Sequence, residues 1–121
     1  MKWLPFSLSA LAMIGATGAS AHPRLLSATP AASSVVAHAN RIELHFSEKL
    51  IAALAGADLT VTRKGAKAGA AVASATTVGA DGKTMIVTPR AALSAGSYIL
   101  KWHVVSVDTH RVAGVHRFSM R

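Results

Sequence analysis

From residue 41 to 47 the chain alternates, with Ile42, Leu44 and Phe46 on one side and Arg41, Glu43 and His45 on the other. Period two belongs to a strand with one buried face. The same pattern returns at 58–63, where Leu59 and Val61 face inward, and at 84–89, a β-rich run that follows the turn pair Asp81-Gly82. A longer run, 96–108, carries Tyr98, Leu100, Trp102 and Val104 on one face, and 112–120 sets Phe118 and Met120 opposite Arg117 and Ser119. Helical periodicity is weak: only 48–57 has room for a turn or two, with Gly56 as its stop. The Ala/Ser/Gly/Pro-rich stretches 30–37 and 64–76 read as connections. Short strands parted by turn residues predict an all-β domain. The expected form is a small two-sheet β-sandwich or Greek-key barrel, as in immunoglobulin-like domains.

The first 21 residues follow a different pattern. Lys2 precedes an apolar run through Ile14, and small residues end it at Ala19-Ser20-Ala21. Basic start, apolar middle and A-x-A end make a secretory signal peptide cut after Ala21. The apolar run is shorter than the roughly 20 residues needed to span a bilayer, and Pro5 interrupts it. Residues 22–121 then form one exported domain with no linker and no internal repeat. It is expected to be soluble and exported, without stable membrane insertion after cleavage.

Composition narrows the chemistry. The chain has no cysteine, so neither a disulfide nor a thiolate ligand is available. It carries 13 Lys and Arg against 5 Asp and Glu, a formal charge of +8 that falls by one when Lys2 leaves with the leader. Those cations are scattered and lack interleaved aromatics, which fits a solvated basic surface and not a nucleic-acid partner.

The cut would leave His22 as the first residue, followed by Pro23. A free N-terminal histidine offers its α-amine and ring Nδ1 to one metal ion as a chelate. Proline has no amide proton to lose, so a metal that normally displaces successive backbone protons is stopped at the second residue. Its remaining coordination positions are left to distant side chains. Asp108 and His110 lie two apart at the end of the long 96–108 run. On extended backbone both leave from the same face. Two nitrogens from His22, one from His110 and an oxygen from Asp108 make a nitrogen–oxygen plane of the kind Cu(II) prefers. That ligand set uses one metal per chain.

The segments HPRLLSATPAASS (22–34), IELHFSEKL (42–50) and SYILKWHVVSVDTHRVAGVHRFSM (97–120) together resemble the CopC family of periplasmic copper-binding proteins. The resemblance runs through the whole of 22–121 and is closest at the two ends. It implies a small Greek-key β-sandwich or barrel that holds Cu(II) through His22, Asp108 and His110, with Glu48 as an axial or neighbouring group. It also implies a copper carrier or buffer in resistance and homeostasis, and not an enzyme. An inner-membrane or periplasmic copper transport protein would be its partner, and the protein itself a monomer. Some members carry a methionine-rich loop for Cu(I). The corresponding region, roughly 58–80, has no methionine here, and Met85 and Met120 sit on apolar strand patterns as core residues. One Cu(II) site and no Cu(I) site are expected.

Among the other histidines, His45 and His103 are expected to point away from the core without a carboxylate at ligand spacing. His116 shares the Phe118 face and is expected to be partly buried, and His38 falls in a polar loop. The alternative function is a histidine-brace copper mono-oxygenase. That chemistry needs an open copper face and an aromatic substrate platform, whereas Tyr98 and Trp102 fall on the core side of their strand.

Overall fold

The computed structural model of the chain describes residues 22–63 and 69–121. The proposed signal peptide and its cut lie outside the described residues, as does 64–68 of the 64–76 connection. Nine strands are described: β1 Leu25–Thr29, β2 Val35–Val36, β3 Ile42–Phe46, β4 Gly56–Thr62, β5 Ala70–Val72, β6 Ser74–Val78, β7 Thr84–Pro89, β8 Gly96–Val105 and β9 Arg111–Met120. They form two sheets, one ordered β1-β3-β7-β6 and the other β2-β9-β8-β4-β5. All pairings are antiparallel except β2 with β9, so the expected two-sheet, all-β architecture is what the chain adopts.

The alternating residues make the core. Ile42, Leu44 and Phe46 of β3 and Met85 and Val87 of β7 join Leu59 and Val61 of β4 across the sandwich. Tyr98, Leu100, Trp102 and Val104 of β8 complete it with Phe118 and Met120 of β9. Tyr98 stacks on Phe118 with ring centroids 5.2 Å apart, and Phe46 meets Trp102 edge-on at 5.1 Å. Such aromatic pairs add to the stabilisation from buried area alone. At the β8–β9 crossing Trp102 lies opposite Gly114, and a Cβ there would stand 2.8 Å from Trp102 Cε2. Only a glycine leaves room for the indole.

Four strands depart from the sequence expectation. β1 carries a bulge between Leu25 and Ser27 that breaks its alternation, and β2 has only two residues. β5 and β6 fall within the 64–76 connection and beyond it, because an edge strand of small residues such as SATTV buries too little to show a hydrophobic period. The 48–57 helix reduces to one 3-10 turn at Ala52–Leu54. Gly56 does not stop it but begins β4, facing the His103 ring closely enough that a side chain would collide with it.

A candidate metal centre at one end of the sandwich

His22 is exposed, but the residues behind it are fixed. Pro23 is fully buried, so it serves as a packing anchor as well as a residue without an amide proton. The Arg24 N–H donates to Ser47 Oγ at 2.9 Å, and the Ser47 N–H donates back to the Arg24 carbonyl at 2.9 Å. The same 47–51 segment also holds the β8–β9 corner. Val107 N–H donates to the Lys49 carbonyl at 2.9 Å, Ile51 N–H to the Val105 carbonyl at 2.8 Å, and Leu50 forms a bridge with Ser106. One short stretch therefore splints the segment that follows His22 to the β8–β9 corner. This places His22 beside a turn that lies more than eighty residues away in sequence.

Asp108 and His110 do not sit on a strand. β8 ends at Val105, and residues 106–110 make a tight turn. Thr109 N–H donates to the Ser106 carbonyl at 2.8 Å, Ser106 N–H donates to the His110 carbonyl at 2.9 Å, and Thr109 has φ of +74°. A turn followed by a left-handed residue is a common three-residue hairpin connection. The expected same-face argument for Asp108 and His110 is thus replaced by turn geometry, with the pairing itself preserved. His110 Nδ1 lies 3.3 Å from Asp108 Oδ2, and the His22 and His110 rings meet edge-on with centroids 4.4 Å apart.

The Ser106 hydroxyl donates to Asp108 Oδ1. That hydrogen bond, with a smaller contribution from His110, holds the Asp108 carboxyl below its ordinary range. Asp108 is therefore an anion with one oxygen fixed and the other turned to His110. Glu48 is half-buried on the splint between Ser47 and Lys49. Among the described residues, no three His, Cys, Asp or Glu side chains converge closely enough to hold a metal ion. His22, His110 and Asp108 are neighbours in pairs. In the uncut chain the nitrogen of His22 is an amide, so a donor set that counts on a free amine is incomplete until cleavage.

The remaining histidines divide. His116 is fully buried, more than expected, and its Nε2 donates to the Pro30 carbonyl at 2.8 Å. His103 is half-buried. His45 departs from expectation: Glu43 Oε2 lies 3.7 Å from its Nε2, and Thr84 Oγ1 lies 3.0 Å from its Nδ1. The signal for this pair was the E-x-H spacing at 43–45 inside a strand that alternates cleanly.

Among the described residues, no helix is long and apolar enough to cross a membrane. The family model described as the CopC domain matches residues 25–121. The chain is 41% identical over 117 residues to Copper resistance protein C of Pseudomonas syringae pv. tomato, covering 95% of this chain and 93% of that one. It is 42% identical over 114 residues to Copper resistance protein C of Escherichia coli, covering 92% and 90%. Among solved structures it is similar to PcoC, a methionine-rich copper resistance protein from Escherichia coli, with a TM-score of 0.76 and 41% identity over 83% of this chain and 99% of that one. CopC from Methylosinus trichosporium OB3b gives a TM-score of 0.67 and 26% identity over 82% and 93%. With the family matched over nearly all the described residues, the chain belongs to the CopC domain family.

Proposed function

We propose that this protein binds Cu(II) in the periplasm and carries or buffers it as part of copper resistance and homeostasis. The ligands are the α-amine and Nδ1 of His22, one ring nitrogen of His110 and a carboxylate oxygen of Asp108. The observation that carries this reading is the meeting of the His22 and His110 rings at 4.4 Å with Asp108 against His110. The relatives named as copper resistance proteins support the cargo. Nitrogen and hard oxygen donors suit Cu(II), which also leads the divalent affinity order. His22 and His110 are both exposed, so their rings can turn about a metal while the core stays packed. No catalytic step is assigned.

The signal peptide of 1–21 makes cleavage a condition of binding, because only the cut frees the amine. Metal binding displaces protons from the amine and imidazoles, so affinity falls on acidification. Met85 and Met120 are buried in the core, so reduction to Cu(I), which prefers sulfur, loosens the metal. The protein then releases copper on reduction or to a better-matched transport protein.

The test is the N-terminal mass of the exported chain together with its copper stoichiometry. A start at His22 with one tightly held Cu(II) is expected. Adding one residue ahead of His22 should weaken binding by orders of magnitude. Equal affinity in the extended protein overturns the chelate. Stoichiometric retention of copper through a desalting column in ascorbate under argon overturns the preference for Cu(II).

A further inference from the structure

A second pair of acceptors stands on the outer face of the first sheet. Glu43 and His45 are alternate residues of β3, and His45 is registered directly against Thr84 of β7. Thr84 is buried, and its hydroxyl donates to Asp81 Oδ2 at 2.8 Å. A hydroxyl has one proton. With that proton on Asp81, the 3.0 Å contact between His45 Nδ1 and Thr84 Oγ1 requires the ring to donate from Nδ1. In the neutral ring the lone pair is then on Nε2, which lies 3.7 Å from Glu43 Oε2. A nitrogen lone pair and a carboxylate oxygen so placed are two donors that one proton or one metal cation can bridge.

Both side chains are already held from behind. Arg41 Nη2 is 3.0 Å from the other oxygen of Glu43, and the Asp81–Thr84 pair fixes the tautomer and plane of His45. An imidazole that donates its far nitrogen to an anchored oxygen is the arrangement that orients histidine metal ligands. With metal–nitrogen and metal–oxygen bonds of about 2.0–2.2 Å and a tetrahedral angle, the two donors would stand about 3.4 Å apart. A small rotation of the Glu43 side chain closes the difference. His45 is 39% and Glu43 24% exposed at the side chain, so water has access to complete the coordination.

We propose that Glu43 and His45 form a second, weaker divalent-cation site, filled by Cu(II) or Zn(II) bound between Glu43 Oε2 and His45 Nε2. Two protein ligands and the nearby Arg41 charge keep it weaker than the site at His22. It is independent of the N-terminal amine and therefore of cleavage.

The experiment is a Zn(II) titration of the folded protein, followed by long-range 1H–15N spectra of the histidine rings. Before metal, His45 should show the Nδ1–H form with a lone pair on Nε2. Zn(II) in excess of the first equivalent should shift His45 Nε2, Glu43→Gln should abolish that shift, and His45→Gln should remove the weak Zn(II) equivalent from the binding isotherm. Thr84→Val should weaken it about 10-fold or more, as loss of an orienting partner does. Should that variant fail to fold by thermal melting, the two surface variants decide alone. A His45 signal unmoved by excess Zn(II), or a shift that survives Glu43→Gln, overturns the site. Asp108→Asn separates the two proposals: it should remove the tight equivalent and leave the His45 shift in place. If no tight equivalent exists in any form of the protein, the function proposed above fails while the His45 reading stands on its own data.

Discussion

Two turns of this protein are built around an aspartate and behave differently. In the turn before β7, Gly82 N–H donates to the Gly79 carbonyl at 2.9 Å, and Gly79 N–H closes the loop on the Thr84 carbonyl at 2.8 Å. In the turn after β8, Thr109 N–H donates to the Ser106 carbonyl, and Ser106 N–H closes on the His110 carbonyl. Each turn has a left-handed residue at its fourth position: Gly82 at φ +71° and Thr109 at φ +74°. The aspartates diverge. Asp81 accepts from Lys83 N–H, Thr84 N–H and the Thr84 hydroxyl, so both its oxygens belong to its own turn. Asp108 accepts the Ser106 hydroxyl on one oxygen and presents the other to His110. The first turn is relaxed and closed on itself. The second places a β-branched residue where glycine is preferred and pairs its other carboxylate oxygen only with the exposed His110 ring. A left-handed β-branched residue and a carboxylate shared with an exposed histidine coincide at the turn that the proposed site needs.

The largest effects that separate the turns concern copper. Asp108→Ala or His110→Ala should reduce Cu(II) affinity by about a hundredfold or more, since even groups that only orient a ligand are worth 10–100-fold. Melting temperatures should stay near that of the parent, because both residues are exposed. Asp81→Ala should do the reverse, lowering the melting temperature and leaving the tight copper equivalent intact. His103→Ala serves as the control with unchanged affinity. Competition titration against a chelator reads all four, and equal losses at 103, 108 and 110 would dissolve the distinction between the turns.

Backbone conformation gives the next effect in size. At Gly82 a Cβ would meet Lys49 Cγ at 3.6 Å, an ordinary contact, so Gly82→Ala isolates the cost of the left-handed backbone. That cost is about 1–2 kcal/mol. Thr109→Gly removes the same strain from the other turn. Glycine adds freedom to the unfolded chain, so the net gain should be about half a kcal/mol or less. Chemical denaturation measures both. A Thr109→Gly variant less stable than the parent would show that the turn is not strained in the sense argued here.

Much of the fold was legible because β3, β4, β7, β8 and β9 each turn one face to the core, and alternation is the direct imprint of that burial. Leu44, Leu100 and Val104 are fully buried where the period places them. β1 and β6 were not legible, since a bulge shifts one and small polar residues line the other. The Asp108–His110 pair was found through an argument that holds for a strand, and it is realised by a turn. The strand form of that same argument applies to Glu43 and His45, which share a face 3.7 Å apart although His45 is expected from the sequence to have no carboxylate at ligand spacing. No local pattern foretells that Ser47 and Lys49 tie residue 24 to residue 107. Apart from the Arg24 N–H to Ser47 Oγ bond, those are backbone hydrogen bonds, made by any sequence that brings the segments together.

The smallest effect is linked to pH and compares the aspartates directly. The Lys83 N–H, followed by the Thr84 hydroxyl, holds the Asp81 carboxyl below its ordinary value of 3.8. The Ser106 hydroxyl does the same at Asp108. A carboxyl lowered in the folded state stabilises the fold at every pH where it would be ionised in both states. That contribution is present in full above about 3.8 and is lost as the pH falls through the lower folded value. The stability difference between the parent and Asp81→Asn should therefore be constant from neutral pH to about pH 4 and then shrink toward pH 2. The same series for metal-free Asp108→Asn should have the same shape. Bound Cu(II) should change only the second series, by adding a reason for Asp108 to stay ionised and by leaving the protein as the pH drops. Urea unfolding across the pH range, with and without copper, provides the measurement. A copper-dependent change in the Asp81 series would mean that the two turns are not separate, and an Asp108 series insensitive to copper would remove that carboxylate from the ligand set.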